Sequence, residues 1–240
     1  MTKSLLIAAR ELGAYRRSWM GSAVIAAGLL IDGLLFYTFA LREKLLSADA
    51  LSEFFYLSSG PLMIATVLLS MRLVAEERQT GTMTLLNTAP VTEAEIVIGK
   101  FLALWAVMAL MCVFSSYMPL WVMVRGKISL GHILVGYLGQ VLLAGAFAAI
   151  GLFTSALARS QILAGILAAV ITVPLLVLWV VAAAVDPPLS QFLGALAIHH
   201  QNFLPFKEGI LEFDKVVYYL VMMGFFLLAA TKTLEARRWR

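Results

Sequence analysis

Six stretches of the chain are apolar over the length of a bilayer, roughly 19–41, 55–75, 97–123, 133–156, 162–185 and 216–234, and each is bordered by charge, glycine or proline. Crossing about 30 Å of hydrocarbon takes about 20 mostly apolar residues in a helix, so each stretch is predicted to be a membrane-spanning helix. The runs are continuous and do not alternate, which favours helices over a barrel. Before the first run, "KSLLIAARELGAYRR" places Leu5, Leu6, Ala9 and Leu12 at helical spacing among Arg10, Arg16 and Arg17. That run is too short to span and has no small-residue cleavage site. It reads as an interfacial helix over 3–17, or else as a cytosolic tail.

Two connecting segments carry their own pattern. In residues 186–215, Leu189, Phe192, Leu193, Leu196 and Ala197 recur at i, i+3, i+4 and i+7, which predicts a short helix there. A segment this apolar is expected to lie on the outer leaflet or dip back into it, with Asp214 capping the sixth span. The other segment, "EERQTGTMTLLNTAPVTEAEIVIGK" over 76–100, is polar between two long apolar runs. Arg72 and Glu76 stand four apart on one face, so the second span is expected to continue as helix until Gly81 stops it. "TMTLLNT" has room for about two helical turns, with Met83 and Leu86 on one side and Asn87 and the approach to Pro90 at the end. Thr92 with Glu95 forms a capping box that starts the next helix. The expected shape is helix, elbow, short cross-helix, elbow, helix: a small amphipathic knob held between two membrane helices.

Composition narrows the class. A mean hydropathy of +0.92 with only 13% charged residues leaves too little polar surface for a water-soluble globule of 240 residues. The prediction is an all-α integral membrane protein with six transmembrane helices, one domain over 1–240, with no linker or repeat that divides it. Orientation follows from basic residues. One set of connections holds Lys3, Arg10, Arg16, Arg17, Arg72, Arg78, Lys100, Arg159, Lys232, Arg237, Arg238 and Arg240, and the other holds Arg42, Lys44, Arg125, Lys127, Lys207 and Lys215. The second set also carries seven acidic residues: Glu43, Asp49, Glu53, Asp186, Glu208, Glu212 and Asp214. Both termini and the 76–100 loop are therefore expected in the cytoplasm. The net charge of +4 reads as this asymmetry and not as a nucleic-acid footprint.

Candidate chemistry is sparse. Asp32 lies within the first span, where a carboxylate costs about 2.5–3.5 kcal/mol on insertion scales and therefore faces a cavity or a partner. Ser22, Tyr37, Ser58, Ser59, Ser70 and Thr172 are further polar points on spans one, two and five, unless their hydroxyls bond back to their own helices. His199 and His200 are adjacent and so point to different sides, without a third ligand at metal-binding spacing. Pro174 is expected to kink the fifth span, and "LLAGAFAAIG" offers a small-residue face for close packing. "EARRWR" at the end resembles an anchor beside anionic lipid. Cys112 is the sole cysteine. No G-x-x-x-x-G-K-[ST] stretch occurs, so the chain has no phosphate-binding loop of its own. These residues leave open an ion-coupled secondary transporter using Asp32 and an intramembrane enzyme using His199 or His200.

The loop "AEERQTGTMTLLNTAPVTEAEIVIGKFLA" resembles that of ABC-2 type transporter permeases: an acidic pair, a basic residue, Gly-Thr, two leucines and a proline ahead of Glu-Ile-x-x-Gly-Lys. "ELGAYRRSWMG", "AFAAIGLFTSALARSQILAGILA" and "HHQNFLPFKEGILEFDKVVYYL" with "LEARRW" are similar to the gliding-motility-type branch of that family. The resemblance touches nearly the whole chain and adds a third function class, a permease driven by a partner's ATPase. It implies a coupling helix in the loop that docks on a separate ATPase subunit through Glu76, Glu77, Arg78, Gly81, Thr82, Leu85, Leu86 and Pro90. A second, smaller contact would use Leu157, Arg159, Ser160 and Gln161. It also implies two ATPase subunits holding ATP and Mg, a second permease chain, the same or related, and in this branch an extracytoplasmic accessory subunit. Asp32, Ser58, Ser59 and Thr172 would then belong to a translocation path in a bacterial inner-membrane exporter.

Overall fold

The computed structural model describes residues 3–40, 47–82, 91–126 and 128–238. Among these the chain is helical and contains no strand. We number the helices α1 (Lys3–Arg17), α2 (Trp19–Leu35, running into a π-helical turn Phe36–Ala40), α3 (Ser47–Ser70), α4 (Ala75–Gln79), α5 (Glu93–Ser115) and α6 (Tyr117–Arg125). α7 (Leu130–Leu157), α8 (Gln161–Ala183), α9 (Leu189–Leu196), α10 (His200–Lys207) and α11 (Phe213–Arg238) complete them. Six segments are long and apolar enough to cross a membrane: Trp19–Phe39, Ser47–Gln79, Glu93–Val124, Leu130–Leu157, Gln161–Ala183 and Phe213–Arg237. They coincide with the six apolar runs.

α7 is the central post. Its glycines lie against side chains that a Cβ would strike: Gly136 against Phe55 of α3, and Gly151 against Ser70 of α3. The small-residue face in "LLAGAFAAIG" thus brings α3 and α11 close, with Ala144, Ala146, Ala148 and Ala149 wholly buried. Trp105 of α5 donates its indole N–H to the Val141 carbonyl at 2.8 Å, satisfying a buried donor. Burial is uneven: 72% of the α7 span is buried against 17% for each of the α2 and α8 spans, so α2 and α8 are held least by the rest of the chain.

Two predicted continuous helices are broken. The third span divides at Ser116 into α5 and α6, because Pro119 lacks the N–H that would bond the Ser115 carbonyl and its ring crowds that carbonyl. The second span does not run on unbroken past Ser70. Residues 71–74 form a turn before α4 resumes.

The 186–215 segment is a helical hairpin, α9 and α10, packed into one end of the bundle. The predicted helix at 189–197 is α9. Ile198, Phe203 and Phe206 are wholly buried, and the Ile198 N–H donates to the Leu175 carbonyl of α8 at 3.1 Å, just after Pro174. Asn202 donates to the Ala195 and Ala197 carbonyls at 3.1 and 2.7 Å, and Tyr219 donates to the Ile198 carbonyl at 2.9 Å. Asp214 stands in the first turn of α11, where a carboxylate favours the positive end of the helix. At the opposite end lie α1, α4, the junction of α7 with α8, and the end of α11.

Candidate functional site

The break after α3 has a specific cause in Ser155 of α7. Its hydroxyl accepts from the Val74 and Ala75 amides, each at 3.0 Å, and donates to the Met71 carbonyl at 3.0 Å. A side chain inserted into the i→i−4 ladder is one of the few devices that bend a helix sharply. Val74 and Ala75 are buried, so water does not satisfy those two amides, and Ser155 meets a need the helix cannot meet itself. The predicted ion pair between Arg72 and Glu76 survives the break, with two bonds of 2.8 Å.

Beyond the break, α4 presents Glu77 to a square of alternating charge. Lys100 of α5 lies 2.8 Å from Glu77 and 3.2 Å from Glu11, while Arg10 lies 2.8 Å from Glu11 and 3.2 Å from Glu77. Lys100 is 1% exposed, and an ammonium this deep is stable only with anionic partners. Removing one partner of such a buried pair costs about 3–5 kcal/mol, because the survivor is left uncompensated. Burial alone would push the Glu11 carboxyl up. The charges of Lys100 and Arg10 outweigh it and hold the group below its usual range.

Gly99 explains how α1 reaches Lys100. A Cβ at Gly99 would sit 2.8 Å from the Ile7 side chain and 2.8 Å from the Ser4 carbonyl, so only glycine lets α1 lie directly on α5. The Gly-Lys pair thus has two physical jobs, close approach and charge. The predicted capping box is also present: Thr92 accepts from the Glu95 amide at 3.3 Å, and Glu95 accepts from the Thr92 amide at 2.9 Å, fixing the start of α5 beside this square.

Arg78 closes the platform on the other side. Its guanidinium donates to the Ala158 carbonyl at 2.8 Å, joining α4 to the α7–α8 junction. Ser160 caps α8 by accepting from the Leu163 amide at 3.2 Å. Arg159 is exposed at the same junction, while Leu157 and Gln161 are half-buried. The described part of the first stretch expected to face a partner, 76–82, therefore lies beside the second. Gly81 adopts a φ of +74°, which suits it to end α4, and the Thr80 and Thr82 hydroxyls bond each other and the last α4 carbonyls. Leu85, Leu86 and Pro90, with the rest of the expected cross-helix, lie outside the described residues. A cleft of about 300 Å³ opens among Glu11, Tyr15, Arg72, Glu76, Thr82 and Lys100.

The candidate path residues are all interior. Ser58 accepts from the Gln140 amide, and Gln140 in turn accepts from the Cys112 thiol at 3.7 Å. Ser59 donates to the Tyr56 carbonyl at 2.6 Å and meets His199 Nε2 at 2.7 Å, and Thr172 bonds back to the Ala168 carbonyl at 2.8 Å. Asp32 is 3% exposed and faces α5, with Cys112 and Tyr137 in electrostatic reach. Its Oδ1 is buried without a hydrogen-bond partner. Ser22 and Tyr37 are exposed.

The two histidines diverge. His199 stacks with Phe203 and sits over Tyr56 of α3, while His200 stacks on Trp179 of α8 at 4.1 Å. Burial pushes His199 down to about 4, with the charges of His200 and Lys207 adding to the effect. Among the described residues no three His, Cys, Asp or Glu side chains gather into a metal-binding set.

Arg10, Glu11, Lys100 and Ser155 were not legible as site residues from spacing. Lys100 opens an apolar run, where an unpaired lysine is costly, and that was the one available signal. The family model described as ABC-2 family transporter protein matches residues 6–206. No curated protein matches the chain.

Proposed function

Since the chain belongs to the ABC-2 family of transporter proteins, and is thus a multi-pass membrane transport subunit, we propose that it is the permease of an ATP-driven exporter worked by a separate ATPase. In this reading the α4 end is cytoplasmic, both termini lie there, and the membrane is the bacterial inner membrane. The ATPase docks on residues 76–90 and on the 157–161 junction, and two ATPase subunits holding ATP and Mg serve two permease chains. An extracytoplasmic accessory subunit on the α9–α10 hairpin would fit the gliding-motility-type branch.

One observation supports this reading above the others: Glu77 and Arg78 bind the elements around them rather than solvent. A push on the loop is passed to α1 and α5 through Glu77 and to the α7–α8 junction through Arg78. A polar loop that served only to cross between spans has no need of such anchoring. Closure of the ATPases on nucleotide would then move a stiff platform, a rigid-body switch biased by a ligand at another site. The route past Asp32 would open as α2 tilts away from α5.

The test is gentle purification followed by identification of every co-migrating subunit. An ATPase should accompany the chain and be lost with Leu86→Asp while yield and helicity are unchanged. Transport on an ion gradient with no ATPase bound would instead support the secondary carrier, and activity of the isolated chain that vanished with His199 would support an enzyme.

A further inference from the structure

The first span has no chain connection to the 76–90 loop, and it is among the least buried of the spans. It is nonetheless joined to that loop through α1. The geometry points to α1 being a lever: the charge square formed by Arg10 and Glu11 with Glu77 and Lys100 clamps α1 to α4 and α5, so a stroke on the loop also swings α1 and moves the first span. This rests on the permease reading above and adds a route of force that chain continuity does not supply.

Three features support the lever. Two neighbouring charges of α1 are used in the clamp, Glu11 turned inward and Arg10 lying over it at the surface: Arg10 reaches Glu77 at 3.2 Å and Glu11 reaches Lys100 at 3.2 Å. Ile7 and Ser4 lie directly on Gly99, so α1 cannot slide over α5 without lifting. α1 passes into α2 at Ser18, whose N–H donates to the Ala14 and Tyr15 carbonyls at 2.9 and 3.2 Å, with Gly21 packed against the Tyr15 carbonyl, so a swing of α1 is carried into the first span. Leu5, Leu6 and Leu12 meanwhile face outward, leaving the other side of α1 free of the bundle.

The double variant Arg10→Met with Glu11→Gln removes the α1 half of the clamp and leaves the Lys100–Glu77 pair intact, so no buried charge is stranded. Spin labels at exposed Leu6 of α1 and Gln79 of α4, each paired with a label at Leu134 of α7, report on the two arms in a Cys112→Ala background. The sample is the complex with its co-purified ATPase, without nucleotide and with ATP plus vanadate. In the parent complex both distances should shift with nucleotide. In the double variant the Gln79 shift should persist and the Leu6 shift should be lost. The conservative pair Arg10→Lys with Glu11→Asp should restore it.

A Leu6 shift that persists in the double variant overturns the lever while leaving the permease reading intact. So does a double variant whose Leu6 and Gln79 distances are already altered without nucleotide, which would mean the clamp only holds the fold. An immobile Gln79 label in the parent complex, or no ATPase bound, overturns the permease reading and the lever with it.

Discussion

Ser155→Ala isolates the physics of the break between α3 and α4. The hydroxyl serves three backbone groups, the buried Val74 and Ala75 amides and the partly buried Met71 carbonyl, all at 3.0 Å. Leaving a buried donor unsatisfied costs about 1–3 kcal/mol. Two stranded amides thus cost about 2–6 kcal/mol, less roughly 1 kcal/mol regained because the alanine no longer has to bury a hydroxyl, for a net loss of about 1–5 kcal/mol. The segment has one escape, to straighten so that these amides bond the Ser70 and Met71 carbonyls as in an unbroken helix. That would swing α4 away from Lys100 and from the Ala158 carbonyl, and those bonds oppose it. The control is Thr154→Val. Thr154 is equally buried, but its hydroxyl only bonds back to the Gly151 carbonyl at 3.0 Å, an acceptor already served by its own helix, so the loss should stay under about 1.5 kcal/mol. Equilibrium unfolding in lipid–detergent micelles titrated with SDS and followed by tryptophan fluorescence measures both. A Ser155→Ala loss no larger than that of Thr154→Val would refute the reasoning.

Gly99→Ala places a methyl against Ile7 and the Ser4 carbonyl, so α1 must lift. The expected cost is about 1–3 kcal/mol with faster proteolysis within α1, and Ile7→Ala should relieve only part of it because the backbone contact remains. His199 is held neutral, with its pKa lowered from 6.5 to about 4. The unfolded state therefore binds the extra proton first, and the stabilisation is complete above about pH 6.5 and lost as pH falls toward 4, at most about 3 kcal/mol by linkage. SDS titrations at neutral and acid pH should show that slope, and His199→Gln should flatten it. Asp32→Leu should leave stability unchanged or raise it, since the carboxyl has no bonded partner and is costly at membrane depth. A clear destabilisation in the same unfolding assay would show that the carboxyl is held after all.

Much of this protein follows from local pattern. The six spans, the helix at 3–17, α9, the Thr92–Glu95 cap and the Arg72–Glu76 pair are all set by hydropathy over a bilayer length or by residues within four positions of each other, where the period of one helix decides who meets whom. Small residues along α7 likewise announced close packing before any neighbour was known. Other features depend on distant parts of the chain. Ser155 meets Val74 across 81 positions and Glu11 meets Lys100 across 89, separations that no local period encodes. The break at 71–74 was missed for this reason: within its own segment the helix had every reason to continue, and the hydroxyl that interrupts it arrives from α7. Asp32 was legible as a residue out of place, yet only the packing of α2 on α5 decided that it faces the chain's interior without a bond. In a bilayer the sequence specifies which segments must be helices, because every backbone group needs an internal partner. Which helix faces which, and so which buried charges find each other, is decided only when the helices pack.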